Sequence, residues 1–413
     1  MSVLVLIPPK KALKGLVKLP SSKSLSNRAL IIRALCNKHF PIYNLSEAGD
    51  TRILAKALKD FSLEKEINLK DAGTAMRFMT AFVSIHPGEF ILKGSSRMHE
   101  RPVGPLVEAL HKLGTKIEYL EKPGYPPLKV KGSKLTGGKI TIDAGISSQF
   151  ISSLLMVAPQ MKDGLRLILS GTQQVSKPYI EMTLDLMKFF GIKSNWIADE
   201  IRVFPGTYQA REITIEPDWT AASYFYAMLL LSHDGRLYFP GLKKNSLQGD
   251  CIAAKWFQNL GVVTSWVDQG AWAAKAGSPP DYCSLDFTDN PDLAQTMLVA
   301  FAGAGIKAMV TGLQTLPLKE TDRIKALQSE LKKAGFEFAK AEGNSWILNP
   351  ERTEAAFPIV FDTWNDHRMA MSFAPLSIAF GKIKINNPEV VEKSYPGFWA
   401  AMQHIGFNLR KLE

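Results

Sequence analysis

The sequence predicts a two-domain α/β protein, and three observations carry that expectation. Apolar runs bounded by Gly or Pro alternate along the chain with segments of helical period. A chain of 413 residues exceeds what one hydrophobic core organises, so two domains of roughly 200 residues each are expected. A hydrophobic content of 46% against 22% charged supplies enough apolar side chains for two such cores and excludes a disordered chain.

Taken in order, the opening MSVLVLIPPKK reads as a first strand. Its apolar run is too short to span a bilayer, and it has neither a basic leader nor a small-residue cleavage site. Helices are expected to begin near Ser24, Thr74, Pro105, Ser147, Pro178, Thr220, Asp250, Pro291, Glu320, Asp366 and Pro396. Pro178 and Pro291 suit first-turn positions, where the missing N–H costs nothing. Gly191, Gly261 and Gly335 follow the last periodic residues and read as C-terminal stops. Met76, Met79, Phe82 and Val83 have the spacing of a buried stripe. No Pro/Ser-rich linker separates the halves.

Cys36, Cys251 and Cys283 are odd in number, far apart and in no CxxC spacing, which argues against a disulfide framework or a zinc site. A reducing, cytoplasmic setting is expected. The net charge of +11 fits either nucleic acid or small anionic ligands. Lysines and arginines are scattered, with no aromatic-interleaved basic stripe, so neither a nucleic-acid nor a membrane partner is expected.

Polar and charged residues cluster at the predicted helix starts, in SSKSLSNR, DAGTAMR, SSQF, SKPYI, NPD, KETDR and NDHRM. Free N–H groups and the positive dipole end make such starts anion sites, and a set of them suits a multiply anionic ligand. Each one taken singly is also explained by ordinary N-capping. Lys319 and Arg323, at i and i+4, would also fit a solvated helix face laced with Glu320 and Asp322. His367 beside Asp366 fits a structural pair.

Read together, these segments resemble the enolpyruvyl transferase family, in its shikimate 3-phosphate branch. The resemblance rests on SSKSLSNRAL at 21–30, AGTAMRF at 72–78, HERPVGPLVEAL with Arg101, SSQFISSLLM at 147–156 and SKPYIEMT at 176–183. It continues through PDWTAASYF at 217–225, NPDLAQTM at 290–297, KETDRIKAL at 319–327, DHRMAMSFA at 366–374 and EKSYPGFW at 392–399. The family fold that this implies has two domains, each of three repeated βαβαββ units with helices inside and sheets outside. The chain would cross between domains near Pro20 and Pro217, giving one domain of residues 21–216 and another of 1–20 with 217–413, with the active site in the cleft between them. The repeats are not visible as sequence self-similarity.

The activity implied is transfer of the enolpyruvyl group of phosphoenolpyruvate to the 5-hydroxyl of shikimate 3-phosphate. Phosphate is released through a tetrahedral intermediate, on the route to the aromatic amino acids, by a monomer using no cofactor and no metal. Cations must then neutralise two phosphates and two carboxylates; Arg offers a bidentate fork and Lys a compact charge. The resemblance implies a phosphoenolpyruvate pocket of Lys23, Gly73, Arg101, Gln149, Arg323, Arg368 and Lys393. It implies shikimate 3-phosphate contacts from Lys23, Ser24, Arg28, Ser147, Ser148, Gln149, Ser176, Tyr179, Asp292 and Lys319. Asp292 would act near the hydroxyl and Glu320 near the methylene carbon, with Lys23 a second candidate proton donor. Sensitivity to glyphosate, which occupies the phosphoenolpyruvate pocket beside Gly73, is implied as well. Two alternatives share the fold: a UDP-N-acetylglucosamine enolpyruvyl transferase, whose loop cysteine has no counterpart here, and a non-catalytic anion- or RNA-binding protein.

The chain departs from the family pattern in a short segment between Asp50 and Asp71, in Asp71 and Phe78 where Asn and Pro are common, and in Trp219 where a small residue is usual. Thr315 and Pro317 stand where a polar residue and an Arg are common.

Overall fold

The computed structural model describes residues 2–145, 147–171, 174–351 and 357–412. The chain divides into two compact units, one of Ser22–Ile215 and one of Met1–Ser21 with Glu216–Glu413.

In the unit Ser22–Ile215, helices α1 (Lys23–Leu35), α2 (Gly49–Asp60), α3 (Gly73–Ser84), α4 (Gly104–Lys112), α5 (Ser148–Val157) and α6 (Lys177–Phe189) follow in order. Helices α1, α3 and α5 pack against one another, and α2, α4 and α6 each bridge a pair of them. Helices α3 and α5 are buried on nearly every side, and α1 buries Ser26, Asn27 and Arg28 along with its apolar residues. Met76, Met79, Phe82 and Val83 are completely buried there. Helix α2 has no counterpart among the expected starts, because neither Ala48 nor Gly49 offers a side-chain cap to signal it.

Strands lie around these helices with one face in and one out, so Leu165–Ser170 and Gly138–Asp143 alternate buried and exposed residues. Two sheets have four strands. One runs Glu66–Asn68, Gly88–Lys93, Leu128–Gly132, Lys116–Tyr119; the other runs Gly138–Asp143, Leu165–Ser170, Glu200–Val203, Ser194–Ile197. In each, a parallel pair is followed by an antiparallel hairpin. The third sheet, among the described residues, is the parallel pair Ile213–Thr214 and Ile42–Tyr43. Its hairpin would follow α2, but the short segment there runs from Asp60 straight into strand Glu66–Asn68.

The other unit carries α7 (Trp219–Leu231), α8 (Ala253–Asn259), α9 (Ala294–Ala304), α10 (Arg323–Lys333), α11 (His367–Phe373), α12 (Leu376–Phe380) and α13 (Phe398–His404). Helices α7, α9 and α11 form its centre. Among the described residues its three sheets each have four strands in the order parallel pair then antiparallel pair, that pair being a hairpin in two of them and Val3–Ile7 with Asn408–Leu412 in the third. The repeat that leaves no trace of self-similarity in the sequence is therefore plain in the strand pairing.

Several starts differ from expectation. Helix α10 begins at Arg323, not near Glu320, because Asp322 is its cap and accepts from the Lys325 N–H at 3.2 Å. Pro291 and Asp250 open short 3₁₀ turns, Pro291–Leu293 and Gly249–Ile252, that lead into α9 and α8. Gly191, Gly261 and Gly335 have φ of +87°, +89° and +85°, the left-handed stop that glycine adopts without strain. Pro20 and Pro217 lie side by side: Ser21 and Pro217 form an isolated bridge, and the Asp218 N–H donates to Pro20 O at 2.9 Å. Trp219 is buried against Tyr226 and Trp266, and Gln248 ties the segment down by donating to Glu216 Oε1 and Pro217 O.

Candidate active site

Several of the helix starts are capped as their composition suggests, whereas those of α3 and α6 and the turn at Pro291 carry no side-chain cap. Ser22, Ser147, Asp218, Asp322 and Asp366 each accept a hydrogen bond from a backbone N–H in the first turn of the helix that follows. Capping and anion binding are compatible, because a cap satisfies one free donor and leaves others.

In the unit Ser22–Ile215, the starts of α1, α3 and α5 bring together Lys23, Ser24, Gly73, Ser147, Ser148 and Gln149. Gln149 Nε2 donates to Thr74 Oγ1 at 3.3 Å, joining the starts of α5 and α3. Lys23 Nζ lies 3.3 Å from Asp50 Oδ2, a partner that sequence reasoning missed. The Arg101 guanidinium lies flat against Gly73: a β-carbon there would sit 2.5 Å from Nη1 and 2.7 Å from Cζ. Any side chain at this position would displace that planar group. Arg77 fixes the arrangement from behind, donating to Gly73 O at 3.0 Å and to Pro102 O at 2.7 Å. Asp71, ahead of α3, accepts a hydrogen bond from the Ser95 hydroxyl.

Arg28 is more deeply built in than a ligand-facing cation needs to be. Its Nε donates to Thr183 Oγ1 at 2.7 Å, Nη1 to Ser24 O at 3.0 Å, and Nη2 to Ser152 Oγ at 3.1 Å and Tyr179 O at 3.2 Å. Of the five guanidinium donors, one Nη1 proton has no partner among the described residues. Phe78 lies under the guanidinium, 5.6 Å away, which gives the unusual Phe a cation–π role. Burial brings the Arg28 pKa down to about 10, still charged at neutral pH. Ser176 is held at φ +58° just before α6, and Tyr179 lies in that helix's first turn.

The other unit gathers four cations and three carboxylates. Asp292 takes Arg368 Nη2 at 2.8 Å on Oδ2, and Arg323 Nη1 at 3.3 Å and Lys319 Nζ at 3.4 Å on Oδ1. Arg323 also donates to Glu320 Oε2 at 2.9 Å and Asp366 Oδ2 at 2.7 Å. Lys393 Nζ stands 3.8 Å from Glu320 Oε1, and Arg368 Nη1 donates to Tyr224 Oη at 3.3 Å. The solvated face that the i, i+4 spacing also fitted is excluded: Arg323 is 1% exposed and Lys319 precedes the helix. His367 Nδ1 is 3.6 Å from Asp366 Oδ1, whose carboxylate mainly serves Arg323 and the α11 cap. Thr315 is buried, and its hydroxyl has no hydrogen-bond partner among the described residues.

Burial pushes the Asp292 carboxyl up, but Arg368, Lys319 and Arg323 outweigh it and hold the group well below the usual carboxylate range, against Glu320. Burial would lower Arg323, but Asp366 and Glu320 raise it instead. Burial raises the Tyr224 phenol to about 12 despite Arg368, so it stays protonated. A dense cationic cluster internally balanced by carboxylates can exchange those carboxylates for an anionic ligand, leaving Asp292 and Glu320 beside it for proton transfer.

Among the described residues no group of three or more His, Cys, Asp or Glu is placed to hold a metal, and no helix is long and apolar enough to cross a membrane. All three cysteines are unpaired and outside both clusters.

Comparison with known proteins agrees with these motifs. The sequence matches the family profile described as EPSP synthase (3-phosphoshikimate 1-carboxyvinyltransferase) over residues 7–68 and 61–402. It is 43% identical over 406 residues to a 3-phosphoshikimate 1-carboxyvinyltransferase of Bacteroides fragilis strain YCH46, covering 98% of each chain. It is 36% identical over 428 residues to one of Sulfurovum sp. strain NBC37-1, covering 97% of this chain and 99% of that one. The crystal structure of EPSP synthase from Acinetobacter baumannii has the same fold, with a TM-score of 0.80 at 19% identity and complete coverage of both chains. The chain belongs to the EPSP synthase family.

Proposed function

We propose that this enzyme transfers the enolpyruvyl group of phosphoenolpyruvate to the 5-hydroxyl of shikimate 3-phosphate and releases inorganic phosphate. The observation that carries the reading is the cluster in which Asp292 and Glu320 stand among Lys319, Arg323, Arg368 and Lys393. A pure anion binder needs the cations but not two acids among them.

In the first half-reaction Asp292 takes the proton of the 5-hydroxyl as its oxygen bonds to C2 of phosphoenolpyruvate. Glu320 or Lys23 gives a proton to C3, turning the methylene into a methyl group. The tetrahedral adduct then returns a proton from that methyl group, C2–C3 regains its double bond, and the C2–O bond to phosphate breaks. General acid–base help of this kind is worth about 10²–10⁴-fold per group. Arg323, Arg368, Lys393, Arg101, Lys23, Gly73 and Gln149 serve phosphoenolpyruvate in this scheme. Lys23, Ser24, Ser147, Ser148, Gln149, Ser176, Tyr179, Asp292 and Lys319 serve shikimate 3-phosphate. Arg28 acts mainly by fixing Ser24 and Tyr179, to whose carbonyls it donates.

We propose further that both clusters serve the same pair of substrates, one contributed by residues 21–216 and the other by 1–20 with 217–413, in a cleft that the ligands close. Small-angle scattering checks this: shikimate 3-phosphate should reduce the radius of gyration, and an unchanged value counts against it. The enzyme acts as a cytoplasmic monomer, a reading that its three unpaired cysteines support for compartment. Phosphate release tests the function: turnover is expected with phosphoenolpyruvate plus shikimate 3-phosphate and not with UDP-N-acetylglucosamine. The reverse preference would overturn it.

A further inference from the structure

Asp250 is a second carboxylate close to Asp292 that the reaction scheme does not use. It is 3% exposed. One oxygen accepts from Thr220 Oγ1 at 2.5 Å, in the first turn of α7, and the other from Asn290 Nδ2 at 3.1 Å. Asn290 immediately precedes the turn that carries Asp292, and its own backbone is committed on both sides: its N–H donates to Phe287 O and its carbonyl accepts from Leu293 N–H, each at 3.1 Å. Holding the Asn290 side chain therefore holds the turn. The segment bearing Asp250 is equally fixed, since Gln248 accepts from Trp219 N–H at 3.0 Å and donates to Glu216 and Pro217.

A neutral amide in place of Asp250 could accept from Asn290 and donate to the Thr220 hydroxyl, so packing alone does not call for an acid. A buried carboxylate is costly unless its charge is used. The charged and titratable groups on the surrounding elements are Asp218 and Glu216 beside α7, Cys251 on its own turn, Asp292, and Arg368 on α11. Around Asp292 they are Lys319, Glu320, Arg323 and Arg368. Burial first and Asp292 second push the Asp250 carboxyl up, while Thr220, Asn290 and Arg368 favour its ionised form. The interaction is reciprocal, so an ionised Asp250 raises the proton affinity of Asp292. That matters because Arg368, Lys319 and Arg323 otherwise make Asp292 too weak a base for a hydroxyl proton.

We infer that Asp250 is a positioning residue: it anchors the Asn290–Asp292 turn and, through its charge, keeps Asp292 able to accept a proton once substrate anions draw the surrounding cations away. This rests on Asp292 being the base of the proposed reaction.

The test is the pH profile of kcat with saturating substrates, for the parent, Asp250→Asn and Thr220→Val. Asp250→Asn keeps the shape, with its oxygen accepting from Asn290 and its NH2 donating to the Thr220 hydroxyl, but removes the charge. Its acid limb should move to lower pH by about half to one and a half units. Its kcat at pH 7 should fall roughly three- to thirtyfold, with KM for shikimate 3-phosphate within about twofold. Thr220→Val removes the donor that favours the ionised form, so its limb should move the same way by less. A merely structural Asp250 would lower stability without moving the limb. Parental acid limbs in both variants overturn the inference, and if Asp250→Asn does not fold, an unmoved limb in Thr220→Val does so alone. A parent enzyme inactive on shikimate 3-phosphate would instead overturn the function on which the inference rests.

Discussion

Gly73→Ala is the most sharply defined perturbation of the phosphoenolpyruvate cluster. The new methyl carbon would lie 2.5 Å from Arg101 Nη1 and 2.7 Å from both Cζ and Nη2, inside any permitted contact. The Gly73 backbone cannot retreat, because Arg77 donates to its carbonyl at 3.0 Å and to Pro102 at 2.7 Å. The Arg101 guanidinium must therefore swing away from Gly73. Overpacking of this kind costs about 1–3 kcal/mol. If that cost falls on ligand binding, affinity drops roughly 5–150-fold. Sequence reasoning expects the methyl group to crowd glyphosate and largely spare the substrate. With Arg101 as the displaced group, phosphoenolpyruvate should lose affinity too, and the glyphosate inhibition constant should rise at least as much as KM. The assay is KM for phosphoenolpyruvate and competitive inhibition by glyphosate in the parent, Gly73→Ala, Arg101→Lys and the double variant. Lysine has no planar group at Gly73, so on that background the alanine should change KM by less than about threefold. An equal Gly73→Ala effect on both backgrounds would refute the proposed collision.

Other outcomes follow from the same geometry. Arg368→Ala and Lys23→Met should each lower kcat/KM by about 10²–10⁴-fold, because leaving a partly buried charge unpaired costs about 3–5 kcal/mol; near-parental kinetics would remove that residue from the site. Asp292→Asn should lower kcat far more than shikimate 3-phosphate affinity, and lost binding with unchanged kcat would make it a binding group only. Thermal melts of that variant should also show a stability deficit. Since the folded carboxyl lies below its unfolded value, the deficit should be flat from pH 8 to about 5 and shrink as pH falls below about 4. A deficit that grows in acid would contradict the ion-pair geometry.

The family resemblance singled out the cations and acids of the cluster, but not their pairing. Arg323 and Lys319 looked like neighbours on one helix face, and only folding shows that Asp322 caps α10 after Lys319 and turns Arg323 into the core. Asp366 read as a partner for His367, while its carboxylate serves Arg323 from 43 residues away. Asp50 and Asp250 carried no signal, since a lone acid at a helix start is indistinguishable from an ordinary cap. Helix α2 was hidden by its uncapped Gly49 start, and the repeats were hidden because strand pairing constrains burial pattern and not residue identity. Phe78 looked like an unexplained departure until Arg28 was found stacked on it.

Addition–elimination is tested most directly by proton NMR of the product formed in D₂O. Protonation of C3 makes a methyl group that rotates before giving up a proton. The vinylic protons of the product should therefore be partly replaced by deuterium, with replacement depending on the presence of shikimate 3-phosphate. A product whose vinylic positions keep all their protons, or no product with that acceptor, would contradict the proposed roles of Asp292 and Glu320.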